Sequence, residues 1–117
     1  MNSSFFLLNV LLLLCLKPLN CVLLNRQLLE QWVDSLNTST SINLINRKIT
    51  EIDIDTFTEL PNLKDNLYLY NNDLTNIEPY TFKALNKLEN LYLYNNGLNK
   101  LNDTTFEGLE NLKYLSI

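Results

Sequence analysis

The six-residue word LYLYNN occupies positions 67–72 and recurs unchanged at 91–96. The interval is 24 residues (91 − 67), and the flanking residues recur in the same register. Leu67, Leu69, Asn72, Leu74, Ile77, Phe82, Leu85 and Leu88 align over Leu91, Leu93, Asn96, Leu98, Leu101, Phe106, Leu109 and Leu112. Sliding the register back by 25 finds an earlier copy in Ile42, Leu44, Ile49, Ile52, Phe57, Leu60 and Leu63. A fixed period of this kind means one small structural unit laid down repeatedly, each copy burying the apolar face of its neighbour. A chain of 117 residues holds one such array and no second domain of independent size.

Each copy opens on an alternation. Leu67 and Leu69 point to one side of a short strand and Tyr68 and Tyr70 to the other, as the two-residue period of a strand requires. Stacking the copies as parallel strands about 4.8 Å apart sets Tyr68 beside Tyr92 and Tyr70 beside Tyr94. Asn43 and Ile45 begin the same two columns, Tyr114 lies just before a fourth strand, and Ser116 extends the first column. Phe57, Phe82 and Phe106 fill the opposite side of the core, with Leu60, Leu85 and Leu109 beside them.

The spacing L-x-L-x-x-N-x-L-x-x-I followed by F-x-x-L-x-x-L resembles the leucine-rich repeat, whose units run to about 20–29 residues. The resemblance covers residues 42–117 and is closest to the secreted, extracellular type with repeats of about 24 residues. It implies an α/β solenoid, a segment of a horseshoe with a curved parallel β-sheet, made of three full repeats and a truncated fourth. It also implies that Asn72 and Asn96 turn inward and hydrogen-bond backbone groups of neighbouring turns, because buried backbone groups need partners. Arg47 holds that position in the first repeat, so the ladder of asparagines lacks its first rung. One extra residue between Leu63 and Leu67 predicts a bulge in the loop entering the second strand. In this family recognition resides on the concave sheet. That makes Tyr68, Tyr70, Asn71, Tyr92, Tyr94 and Asn95 the expected contacts for a protein ligand or a glycan, since tyrosine supplies contact area and a hydroxyl at low entropic cost.

The N-terminal part carries a different pattern. Residues 5–16 are apolar except Asn9, the length of a secretory signal core and short of the roughly 20 residues that span a bilayer. A cleaved leader over 1–21 is expected, with a buried N-terminal core helix as the alternative; no membrane span is predicted. Cys15 falls in that leader, so Cys21 is at most the one thiol of the mature chain and no disulfide framework exists. Leu24, Leu28, Leu29, Trp32, Val33 and Leu36 line one face of a predicted helix, with Asn25, Arg26, Glu30, Gln31 and Asp34 on the other. A solenoid exposes the cross-section of its first repeat, so this amphipathic segment within 22–41 is the expected cap. Asn37-Thr38-Ser39 and Asn102-Asp103-Thr104 are glycosylation sequons, the second just after an inward-facing Leu101.

Several function classes are disfavoured. There is no His, and Gly97 and Gly108 are the only glycines, which removes His-based catalysis, His metal sites and phosphate-cradling loops. Glu51, Asp53 and Asp55 alternate in EIDID, yet a cation site needs further oxygen ligands in place, and no metal or cofactor is expected. A net charge of −4, or −5 once Lys17 leaves with the leader (8 − 13), makes nucleic acid an improbable partner. Leu115-Ser116-Ile117 stops mid-strand. The expectation is a non-catalytic recognition protein, with the N-terminal piece of a receptor or adhesion ectodomain and a matrix component self-associating through its uncapped C-terminal edge as alternatives.

Overall fold

A computed structural model describes residues 20–117; the apolar run 5–16, Cys15 and nearly all of the expected leader lie outside the described residues. Strands β2 (Ser41–Asn43), β4 (Asn66–Tyr68), β5 (Asn90–Tyr92) and β6 (Tyr114–Ser116) form a four-stranded parallel sheet in the order β2-β4-β5-β6. Ile42, Leu67, Leu91 and Leu115 stand in register across it. A second, two-stranded parallel sheet joins β1 (Val22–Leu24) to β3 (Ile49–Ile52), and an isolated bridge between Asn76 and Lys100 continues that side in later turns. Between these two sides lies one hydrophobic core, in which Leu67, Leu69, Leu74 and Ile77 of one turn meet Leu91 and Leu93 of the next. Full burial of such a side chain stabilises the fold by about 1.5–3 kcal/mol.

The extra residue ahead of β4 is absorbed before the strand begins. The N–H groups of Lys64 and Asp65 both donate to the Thr40 carbonyl, and pairing from Asn66 onward is regular.

The N-terminal segment departs from expectation. Its apolar stripe is divided among three conformations: Leu24 ends β1, α1 spans only Arg26–Trp32, and Leu36 opens a 3-10 turn, Leu36–Thr38. Asn25 is not on a polar helix face. Its extended backbone makes it the N-cap, and its side-chain oxygen accepts from the Leu28 N–H at 2.8 Å. Leu24 pairs with Ile52, and its carbonyl accepts from the Asp53 N–H and the Thr56 hydroxyl, so a helix cannot include it. Extended Val33 and left-handed Ser35 (φ 55°) end the helix at the other side. Even so, Leu24, Leu29 and Leu36 are buried, and Leu28, Trp32 and Val33 pack against the core.

The last turn also departs from expectation. Leu101 is 41% exposed, whereas its counterpart Ile77 is 2% exposed. A side chain in this position is covered by the turn that follows, and no further described turn stacks on Leu101. Tyr114 is the first residue of β6 rather than the residue before it.

Candidate functional site

The four-stranded sheet positions a face made of three columns. Ser41, Asn66, Asn90 and Tyr114 form the first, and Asn43, Tyr68, Tyr92 and Ser116 the second. Backbone pairing continues past the strands through Leu44 N–H to Tyr68 C=O, Leu69 N–H to Tyr92 C=O and Asn71 N–H to Tyr94 C=O, which aligns Ile45, Tyr70 and Tyr94 as the third column. None of these side chains carries a charge at neutral pH, so the acidic balance of the chain lies elsewhere.

The tyrosines stack along the columns. Ring centroids of Tyr68 and Tyr92 are 4.9 Å apart with planes at 25°, and those of Tyr70 and Tyr94 are 4.5 Å apart at 10°. Tyr68 meets Tyr70 edge to face at 6.2 Å, tying the columns together. Tyr114 adds a tilted ring 5.3 Å from Tyr92, a member of the cluster that sequence reasoning left off the contact set. Desolvation raises the Tyr94 phenol above its ordinary 10.0, helped by Tyr70 through charge repulsion and a hydrogen bond.

Asparagine serves the backbone in two distinct columns. The Asn72 side-chain oxygen accepts from the Arg47 and Ile49 N–H groups at 3.0 and 3.1 Å, and its nitrogen donates to the Leu44 and Leu69 carbonyls, both at 2.9 Å. Asn96 repeats the pattern with the Leu74 N–H and the Leu69 and Leu93 carbonyls. Asn71 and Asn95, one position earlier, have left-handed backbones with φ of 58° and 54°, as does Asn46 at 57°. Asparagine tolerates that region better than other residues with a side chain, and Asn95 donates to the Asn71 side-chain oxygen at 2.9 Å. Turn conformation thus gives Asn71 and Asn95 a local role beside any contact they make. Arg47, where the first rung lacks asparagine, is exposed and lays its guanidinium 4.9 Å from the Trp32 ring of α1.

Other candidate residues lie apart from this face. Asn37 and Asn102 are both exposed, and the Asn102 side-chain oxygen accepts from the Thr104 hydroxyl of its own sequon at 2.7 Å. Cys21 is half-buried, with its sulfur 3.0 Å from the Thr50 hydroxyl. Asp53 accepts from the Asp55 N–H within a turn, and no group of three or more His, Cys, Asp or Glu converges among the described residues. A hollow of about 530 Å³ lies on the far side between Ile54, Asp55, Thr58, Tyr80 and Lys83. It contains no converging nucleophile, base or metal-ligand set. No helix among the described residues is long and apolar enough to cross a membrane.

Two further columns of polar residues recur from turn to turn and were not anticipated. Thr56, Thr81 and Thr105, each just before a core phenylalanine, are buried, and their hydroxyls bond locally or to the preceding turn. Asn62, Lys87 and Asn111 each donate to a carbonyl of the preceding turn, those of Asn37, Pro61 and Asn86. The recurrent dipeptide Thr-Phe was the available signal for the first column.

The leucine-rich repeat family profile matches residues 38–98 and 65–117, and the chain belongs to that family. Leucine-rich repeats generally mediate protein–protein interaction and are typically non-catalytic. No curated protein and no solved structure matches the chain.

Proposed function

We propose that this chain is a secreted, non-catalytic recognition module that binds a partner protein through the tyrosine columns of its four-stranded sheet, the concave side of a curved array. The observation that carries this reading is the continuous cluster of Tyr68, Tyr70, Tyr92, Tyr94 and Tyr114 on one uncharged, solvent-facing surface. Stacked rings are held in place before any ligand arrives, so little side-chain entropy is lost on binding. Because the ring faces are turned on each other, the face offers ring edges and hydroxyls rather than the open faces on which sugar rings stack. That favours a protein over a glycan.

In this reading residues 1–21 are the leader, 22–41 form the cap and 42–117 the repeats. The burial of Leu29 and the contact of Trp32 with Arg47 support a capping role for α1. The exposed Asn37 and Asn102 carry glycans. Replacing Tyr68, Tyr70, Tyr92 and Tyr94 with Ser should abolish capture of the partner from extracellular fluid while leaving the circular dichroism spectrum unchanged. Undiminished capture by the folded variant would remove the sheet face from the account.

A further inference from the structure

The tyrosine columns have a chemical property independent of any ligand. Tyr70 and Tyr94 are in van der Waals stacking at a 4.5 Å centroid distance with planes 10° from parallel, and Tyr68 and Tyr92 follow at 4.9 Å and 25°. All four are half-buried, so each keeps part of its ring open to solvent. Removing one electron and one proton from a phenol leaves a phenoxyl radical whose unpaired spin lies partly on the ring carbons ortho to the oxygen. Two such radicals couple when those carbons meet face to face, because the combining orbitals stand perpendicular to the rings. A near-parallel stack holds the rings in that approach beforehand and makes the coupling effectively unimolecular.

We propose that the stack is an intramolecular dityrosine site, at which a one-electron oxidant of the haem peroxidase and hydrogen peroxide class joins Tyr70 to Tyr94, and to a lesser extent Tyr68 to Tyr92. Each phenol gives up one electron and one proton. The two unpaired electrons become a carbon–carbon bond between ortho positions, and each of those carbons passes its hydrogen as a proton to its own oxygen, restoring both phenols. Two electrons and two protons leave the protein in all, and they reduce one hydrogen peroxide to two waters. The product is a covalent link between consecutive turns of the array.

The molecule supplies its own comparisons. Tyr80 is 40% exposed, more open than the stacked four, but the group over its ring is the Lys83 ammonium at 5.4 Å. Tyr114 lies 5.3 Å from Tyr92 but tilted by 44°, which turns the ortho carbons away from a face-to-face approach. Accessibility alone would select Tyr80 and Tyr114 and give links between molecules. Stacking selects Tyr70 with Tyr94 within one molecule.

The test treats dilute purified chain with a haem peroxidase and hydrogen peroxide, then reads intact mass and tryptic peptides. Trypsin separates the two turns, leaving Tyr68, Tyr70 and Tyr80 in peptide 65–83 and Tyr92 and Tyr94 in peptide 88–100. The expected product is a monomer lighter by two hydrogen atoms, with 65–83 joined to 88–100 and fragment ions placing the link at Tyr70 and Tyr94. Tyr94→Phe keeps the ring and the stack but cannot form a phenoxyl radical, so it should lose that link and leave only the Tyr68–Tyr92 product. Covalent dimers through Tyr80 with unchanged monomer mass would overturn the proposal. So would an equal yield of the same link from chain unfolded in urea, since the stack would then play no part.

Discussion

The turns that begin at Leu67 and at Leu91 share the word LYLYNN, yet the structure gives equivalent residues different surroundings. Phe82 is fully buried between Phe57 at 5.9 Å and Phe106 at 6.4 Å, while Phe106 has one such neighbour and is only partly buried. Asn72 is buried and makes four strong bonds to two turns; Asn96 is partly buried and makes three. Ile77 is enclosed and Leu101 is not. In a stacked array the contribution of a residue is therefore set by the turn that follows it as much as by its own identity.

The largest effect that tests this difference is at the phenylalanines. Phe82→Ala should lower unfolding free energy by about 3–5 kcal/mol, the usual range for a buried phenylalanine. Phe106→Ala should cost about 1–2 kcal/mol, because the part still in water loses no burial. Equal losses in urea denaturation would show that the last turn is as tightly enclosed as the middle one.

Smaller, and directed at hydrogen bonding, is the asparagine pair. Asn72→Ala strands the Arg47 and Ile49 N–H groups and two carbonyls, for a loss of about 2–3 kcal/mol at the penalties typical of unsatisfied buried groups. Asn96→Ala should cost less, about 1–2 kcal/mol, since Asn96 is itself only partly buried and three bonds are lost rather than four. Hydrogen exchange would sharpen the result: Ile49 should lose protection in the first variant and keep it in the second.

The smallest effect is electrostatic. The Tyr94 phenol titrates above 10.0 in the folded chain, chiefly through desolvation. Folding thus retains a proton that the unfolded chain releases, so this contribution is fully present below pH 10 and is lost as pH rises through the raised value. Ultraviolet titration should show one late phenol that disappears in Tyr94→Phe, and the variant's denaturation midpoint should fall less steeply above pH 10. A titration curve unchanged by the substitution would count against the assignment.

The positions of the buried leucines, the parallel register and the tyrosine columns were legible in the sequence because a repeat period specifies neighbours as well as faces. The conformation of residues 22–38 was not legible. Leu24, Leu29 and Leu36 are spaced for a helix and are all buried, but an apolar pattern reports burial and says nothing of the Asn25 cap that keeps Leu24 in a strand. Thr56, Thr81 and Thr105 escaped notice because polar residues do not register in a hydrophobic pattern. The positive φ of Asn71 and Asn95, a local reason for the residue type, is a backbone property that the repeat pattern does not carry. The exposure of Leu101 was not legible, because a repeat alignment specifies which position a residue holds and not whether a described turn covers it.

The contact between Arg47 and Trp32 also makes the N-terminal junction optically visible. Trp32 is the single tryptophan of the chain, and it sits where α1 meets Arg47 of the first turn. Its emission therefore reports detachment of that one segment, while far-ultraviolet dichroism averages over every turn. If the two signals separate on heating, the array melts from its N-terminal side inward. If they coincide, the helix and the repeats form one cooperative unit.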